Sequence, residues 1–92
     1  MNDTDIERQV RSALYLVAPD LEGEPLDRQR RYRDQYEFDS MDFLRYVTEL
    51  HQLTGADIPE GDYPRLETLE GAMAYLKEKE QARSAGGAGG AS

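Results

Sequence analysis

The chain contains no cysteine, which rules out disulfides, thiolate metal sites and any thiol nucleophile of its own. It has a single histidine, His51, too few for a zinc centre or a paired catalytic system built from imidazoles. No apolar run approaches the ~20 residues that a membrane-spanning helix needs. Basic residues are scarce: 11 Lys and Arg stand against 19 Asp and Glu in 92 residues, a formal net charge of -8. A field of that sign repels phosphate backbones, argues against nucleic acid as a partner and favours proteins that present Lys and Arg patches. The opening stretch, MNDTDIERQV, lacks the basic and apolar regions of a secretory signal. These absences point to a cytoplasmic, soluble chain with no membrane contact, long enough for one small domain of modest stability.

What the chain does have is helical periodicity. Thr4 and Glu7 stand at the spacing of a capping box, and Ile6, Val10, Ala13, Leu14 and Val17 then form one apolar stripe. Pro19 stops the run, so the pattern predicts a first helix from about Asp5 to about Ala18. Residues 19 to 38 keep no period. Gly23 and Pro25 mark turns there, and DRQRRYRDQ is charged almost throughout. Leu21, Leu26, Tyr32, Tyr36 and Phe38 are apolar enough to pin this connection to a core, with a helical turn expected around Asp27 to Arg33. A structureless connection of about 20 residues is unusual unless it has a function.

A second helix opens at Asp39 or Ser40, both good caps. Met41, Leu44, Val47, Leu50 and Leu53 keep a spacing of three, Phe43 and Tyr46 widen the stripe, and Gly55 ends it. Ile58-Pro59 reads as a short extended link and Tyr63 to Leu66 as a single helical turn. From Thr68, the residues Leu69, Met73 and Leu76 predict a last helix, with Lys77 and Lys79 near its electronegative end. No strand-like alternation and no repeat occur. The expected fold is all-α: a small four-helix bundle of three longer helices and one short one, with a long first loop. The folded domain is expected over residues 1–82, and 83–92 as a disordered Gly/Ala/Ser tail.

Chemistry concentrates at FDSMDFL, residues 38 to 44. A serine at a helix start usually just caps it. Here Asp39 can cap by itself, which leaves the Ser40 hydroxyl free to point outward, and a helix N-terminus suits a phosphodiester attached to that hydroxyl. Other candidates are weaker. Arg28, Arg30, Arg31 and Arg33 read as a solvated loop face pairing with nearby acids and not as a nucleic-acid patch. Asp57, Glu60 and Asp62 lack the spacing of an EF-hand loop, and His51 reads as an exposed or rim residue of the second helix. No Gly-x-Ser-x-Gly element surrounds Ser40 and no base is placed to activate it, so neither a catalytic residue nor a metal ligand is assigned.

FDSMDFLRYV resembles the Asp-Ser-Leu/Met element of acyl carrier proteins, and LTGADIPEGDYPRLETLEGAMAYL resembles their downstream half, over about residues 5 to 80 together. The resemblance implies a carrier and not an enzyme, with 4'-phosphopantetheine attached to Ser40 by a phosphopantetheinyl transferase. It implies that Asp39 helps the transferase engage that serine and that Met41 packs near the arm and docks on partners. It further implies an acyl pocket from Leu44, Val47, Ile58 and Met73, and a docking face of Asp39, Met41, Asp42, Arg45 and Glu49. Partners would be acyl- or aminoacyl-loading and transfer enzymes with basic patches, met by a monomer. The glycine often found three residues before the serine is Glu37 here, and helix-two positions commonly acidic in fatty-acid carriers are Arg45, His51 and Gln52. The expected role is a discrete carrier for a specialised fatty-acid, polyketide or lipid-modification pathway. An aminoacyl or peptidyl carrier of nonribosomal-peptide type is the alternative within the class, and an unmodified acidic adaptor the alternative outside it.

Overall fold

The computed structural model describes residues 2–90, and side chains from residue 2 to residue 82. Asn2 caps α1 (Asp3–Val17), accepting from the Asp5 amide at 2.9 Å. Thr4 therefore does not cap: asparagine is the stronger cap, so the helix begins earlier than expected and Thr4 falls within its first turn. Ile6, Val10, Ala13 and Leu14 are buried along one face, as their spacing requires.

Between α1 and the second long helix the chain is irregular but tied down. It contains a 3-10 turn, η1 (Pro19–Leu21), and a four-residue helix, α2 (Tyr32–Gln35), which lies later than the expected turn around Asp27 to Arg33. Arg31 is extended, and α2 begins at Tyr32, whose side chain enters the core. Gln35 holds the loop from within: its amide accepts from Asp27 N–H and donates to the carbonyls of Asp27 and Arg30, each at 2.9 Å. The Tyr36 hydroxyl donates to the Pro25 carbonyl. Two bonds to the far side of the bundle finish the job, Tyr32 N–H to the Glu67 carbonyl at 3.0 Å and Glu70 N–H to the Arg28 carbonyl at 2.9 Å. Backbone groups paired in this way need no regular element to be satisfied. Leu21, Tyr32 and Phe38 are buried, while Leu26 and Tyr36 pack at the edge of the core.

α3 (Ser40–Thr54) ends at Gly55, whose φ of 71° is the left-handed cap that glycine takes without steric cost. Its buried face differs from the expected stripe. Tyr46, Val47 and Leu50 are buried and Phe43 packs against them, whereas Met41, Leu44 and Leu53 are exposed. The reason is geometric: residues repeating every three positions slip about 60° around a helix at each step, so only the middle members of that series face inward.

η2 (Glu60–Leu66) is a longer 3-10 segment than the single turn expected. It leads into α4 (Leu69–Gly90), where the Thr68 hydroxyl accepts from Gly71 N–H at 2.9 Å. A Cβ at Gly71 would fall 2.5 Å from the Arg65 carbonyl oxygen, so the tight approach of η2 to α4 requires glycine there. Leu69, Ala72, Tyr75 and Leu76 are buried on α4, and Met73, expected on the core stripe, is only half-buried beside them. The range of α4 runs into the expected tail, 83–92, whose side chains lie outside the described residues.

α1 packs against both α3 and α4, and η2 against α4. This is an all-α bundle with a long first loop, and no strand occurs among the described residues. Glu7 joins helix to loop: its carboxylate is bonded by Arg11 at 2.7 Å and Arg28 at 2.8 Å, which hold its pKa below the usual carboxylate value. Among the described residues no helix is long and apolar enough to cross a membrane.

Candidate functional site at the start of α3

Asp39 is extended (φ -85°, ψ -179°), and its Oδ1 accepts from the Asp42 amide at 2.8 Å. Asp42 answers by accepting from the Asp39 amide at 3.3 Å. This reciprocal box satisfies two amides that a helix start leaves without partners. Ser40, the first residue of α3, is not needed for capping. Its side chain is exposed, and no hydrogen bond to its hydroxyl is made among the described residues. A serine so placed is an accessible hydroxyl on a capped helix end.

Beside it lies a groove of about 390 Å³, the lower part of the range typical of small-molecule sites. Tyr32, Phe38 and Phe43 form its aromatic wall; Arg31, Arg33 and Glu67 add charged edges; Asp39 and Ser40 complete it. The wall belongs to a larger aromatic cluster. Tyr32 meets Phe38 edge-on with centroids 5.6 Å apart and Tyr46 at 5.2 Å, and Phe43 contacts both Tyr46 and Tyr63. The hydroxyls of Tyr32 and Tyr46 bond each other at 3.1 Å in the interior. Burial pushes both phenol pKa values far up, so the pair stays neutral at physiological pH.

Of the residues expected in docking, Asp39, Met41 and Arg45 are exposed and Asp42 and Glu49 half-buried. Met41, at 72% exposure, is the most exposed large apolar side chain among the described residues. The four expected pocket residues do not come together around any described cavity. Val47 is in the core, Ile58 is half-buried against it, and Leu44 is half-exposed on the outer side of α3. Met73 lines a separate groove with Asp3, Ile6 and Arg28. His51 is exposed as expected, yet its ring is engaged: Nδ1 donates to the Ala56 carbonyl at 2.7 Å. Asp62 accepts from the Tyr75 hydroxyl at 2.7 Å.

The chain is similar to an acyl carrier protein. The relative, from Lactobacillus johnsonii, is 28% identical over 57 residues, covering 62% of this chain and 71% of its own. That likeness supports a carrier-protein role in general and does not reach to a pathway. No family model matches the chain, and no solved structure matches it significantly.

Sequence reasoning missed the groove. Three of the four loop arginines do pair with acids as expected, Arg28 with Glu7, Arg31 with Asp34 and Arg33 with Glu67. Arg31 and Arg33 nonetheless also line the cavity beside Ser40. The available signal was the Arg-Tyr-Arg triplet, whose central tyrosine reads as core and whose flanking arginines therefore stand at the core's edge.

Proposed function

We propose that this chain is a discrete acyl carrier, not an enzyme, whose Ser40 hydroxyl is the attachment point for 4'-phosphopantetheine. The observation that carries the reading is the division of labour at the start of α3. Asp39 and Asp42 cap the helix between them, so the Ser40 hydroxyl is left exposed and without a hydrogen bond among the described residues. The similarity to an acyl carrier protein supports the same reading. Attachment joins Ser40 Oγ to the pantetheine-bearing phosphorus of coenzyme A, breaks the pyrophosphate bond and releases adenosine bisphosphate, with the hydroxyl proton passing to a base on the transferase. The group supplies the terminal thiol that a chain without cysteine lacks, and holds the cargo as a thioester. The working form is a cytoplasmic monomer that meets the transferase and then acyl-loading and transfer enzymes through Met41 and the acids around it.

Incubation of the full chain with coenzyme A, magnesium and a broad-specificity transferase tests this. The intact mass should rise by one arm, about 340 Da. An unchanged mass would favour the acidic adaptor. Asp39→Asn should keep the cap, because asparagine caps as well as aspartate, but should slow loading if the carboxylate charge engages the transferase. Loading at the wild-type rate would leave Asp39 with a capping role alone.

Partner choice follows from α3. Arg45 and Gln52 are exposed on it, where fatty-acid carriers commonly have acids. A like charge facing an incoming cation can cost several kcal/mol, and even about 1 kcal/mol is roughly fivefold in affinity. We therefore expect poor handling by housekeeping fatty-acid ketosynthases and service in a specialised pathway. The double change Arg45→Glu and Gln52→Glu should improve that handling, with the gain shrinking as salt rises. His51 is left alone because its ring bonds Ala56. Efficient elongation on the wild-type holo form would remove the basis for a specialised role.

A further inference from the structure

We propose that Arg31 and Arg33 hold the phosphodiester of an arm on Ser40, so that the arm lies in the groove along the first loop and does not swing freely in solvent. The inference rests on the reading of Ser40 as the attachment site and goes beyond it to the residues that receive the arm.

The charge around Ser40 sets the problem. Asp39 and Asp42 flank it, in a chain of net charge -8, and both carboxylates are committed to the cap. A phosphodiester on the Ser40 oxygen adds another anion beside them. The groove that shares Ser40 brings two guanidinium groups to it, Arg31 and Arg33, with Glu67 as the further acid on its edge.

Each guanidinium retains donors for this. Arg31 bonds Asp34 through Nε at 2.8 Å, and its two terminal nitrogens make no other bond among the described residues. Arg33 approaches Glu67 only to 3.8 Å, an ion pair without hydrogen-bond contact. Planar guanidinium donors match phosphate oxygens in pairs, which a lysine ammonium does not. Past the phosphate, the arm begins with a branched apolar carbon. The wall of Tyr32, Phe38 and Phe43 offers that group apolar surface in the same groove. Cationic edge and aromatic wall thus line the same groove as Ser40, matching the phosphate and hydrocarbon parts of the arm.

The test compares apo and holo protein by amide and phosphorus NMR, after intact mass has verified loading. In the wild type, loading should shift the amides of Arg31, Tyr32, Arg33, Phe38 and Phe43 as well as those next to Ser40. The phosphorus resonance should move as salt is raised and the arm is released. Arg31→Gln with Arg33→Gln should lose most of the loop shifts and the salt response. Both side chains are exposed, so the fold should survive, and unchanged helical circular dichroism checks this. Arg31→Lys with Arg33→Lys should retain part of both signals. Loading with shifts confined to the neighbours of Ser40, or loop shifts that persist in the glutamine variant, would overturn the inference while the carrier reading stands. A chain that never loads would overturn both.

Discussion

Ser40→Ala should take up no phosphopantetheine at all under conditions that load the wild type fully, while its melting temperature stays within the range of an ordinary surface change. The complete loss follows from chemistry, since alanine offers no oxygen to phosphorus. The unchanged stability follows from the capping box. Asp39 accepts from the Asp42 amide and Asp42 from the Asp39 amide, so the Ser40 side chain has no bond to lose among the described residues. Alanine is also the better helix former, and an exposed substitution of this kind falls within about 0.5 kcal/mol. Intact mass and a thermal melt followed by circular dichroism check the two halves separately. Mass gain in the alanine variant would place attachment elsewhere. A large drop in melting temperature would mean that the serine does cap the helix.

The tyrosine pair carries the largest expected effect on stability. Tyr46→Ala removes a ring that is fully buried and in contact with Tyr32, Phe38 and Phe43, and large-to-small changes of aromatic residues in a core cost about 3–5 kcal/mol. A domain of this length is marginal, and that loss is comparable to the whole stability of many such domains. The variant should be largely unfolded at room temperature. The phenylalanine series separates packing from hydrogen bonding. Tyr46→Phe keeps the ring but strands the Tyr32 hydroxyl in the interior, which costs about 1–3 kcal/mol. Adding Tyr32→Phe removes the stranded group, so the double variant should be more stable than either single one. Urea melts of the four proteins give the cycle. A double variant as damaged as the sum of the singles would mean that the hydroxyl pair is not coupled as the 3.1 Å contact requires.

The same pair contributes to the alkaline limit. Burial raises both phenol pKa values above the ordinary value of 10.0. Above pH 10 the unfolded chain therefore releases protons that the folded chain keeps. The unfolded state then binds fewer protons, so stability is full below pH 10 and falls as pH rises beyond it. The double phenylalanine variant should lose this part of the alkaline sensitivity.

Much of the bundle was legible along the chain because capping and periodicity are local. The face of Ile6, Val10, Ala13 and Leu14, the cap at Asp39, and the stop at Gly55 are each written within a few residues. Where two local signals competed, the better one won, as with Asn2 over Thr4. Spacing misled on α3, where a three-residue series drifts around the helix and carried Leu44 to the outside.

Local sequence alone accounts for the long helices, the exclusion of any thiol of the chain's own, the acidic field, and the coincidence of an adequate cap with an adjacent spare serine. Each depends on composition or on residues within one turn of each other. Tertiary structure decided everything that joins distant positions. Tyr32 in the loop and Tyr46 on α3 share one hydrogen bond across 14 residues, and Glu67 before α4 receives the amide that seats the loop. That seating brings Arg31 and Arg33 to the groove beside Ser40 and leaves Met73 in another one. Periodicity shows which side of a helix is apolar, but it carries no information about which segment of the chain closes over that side.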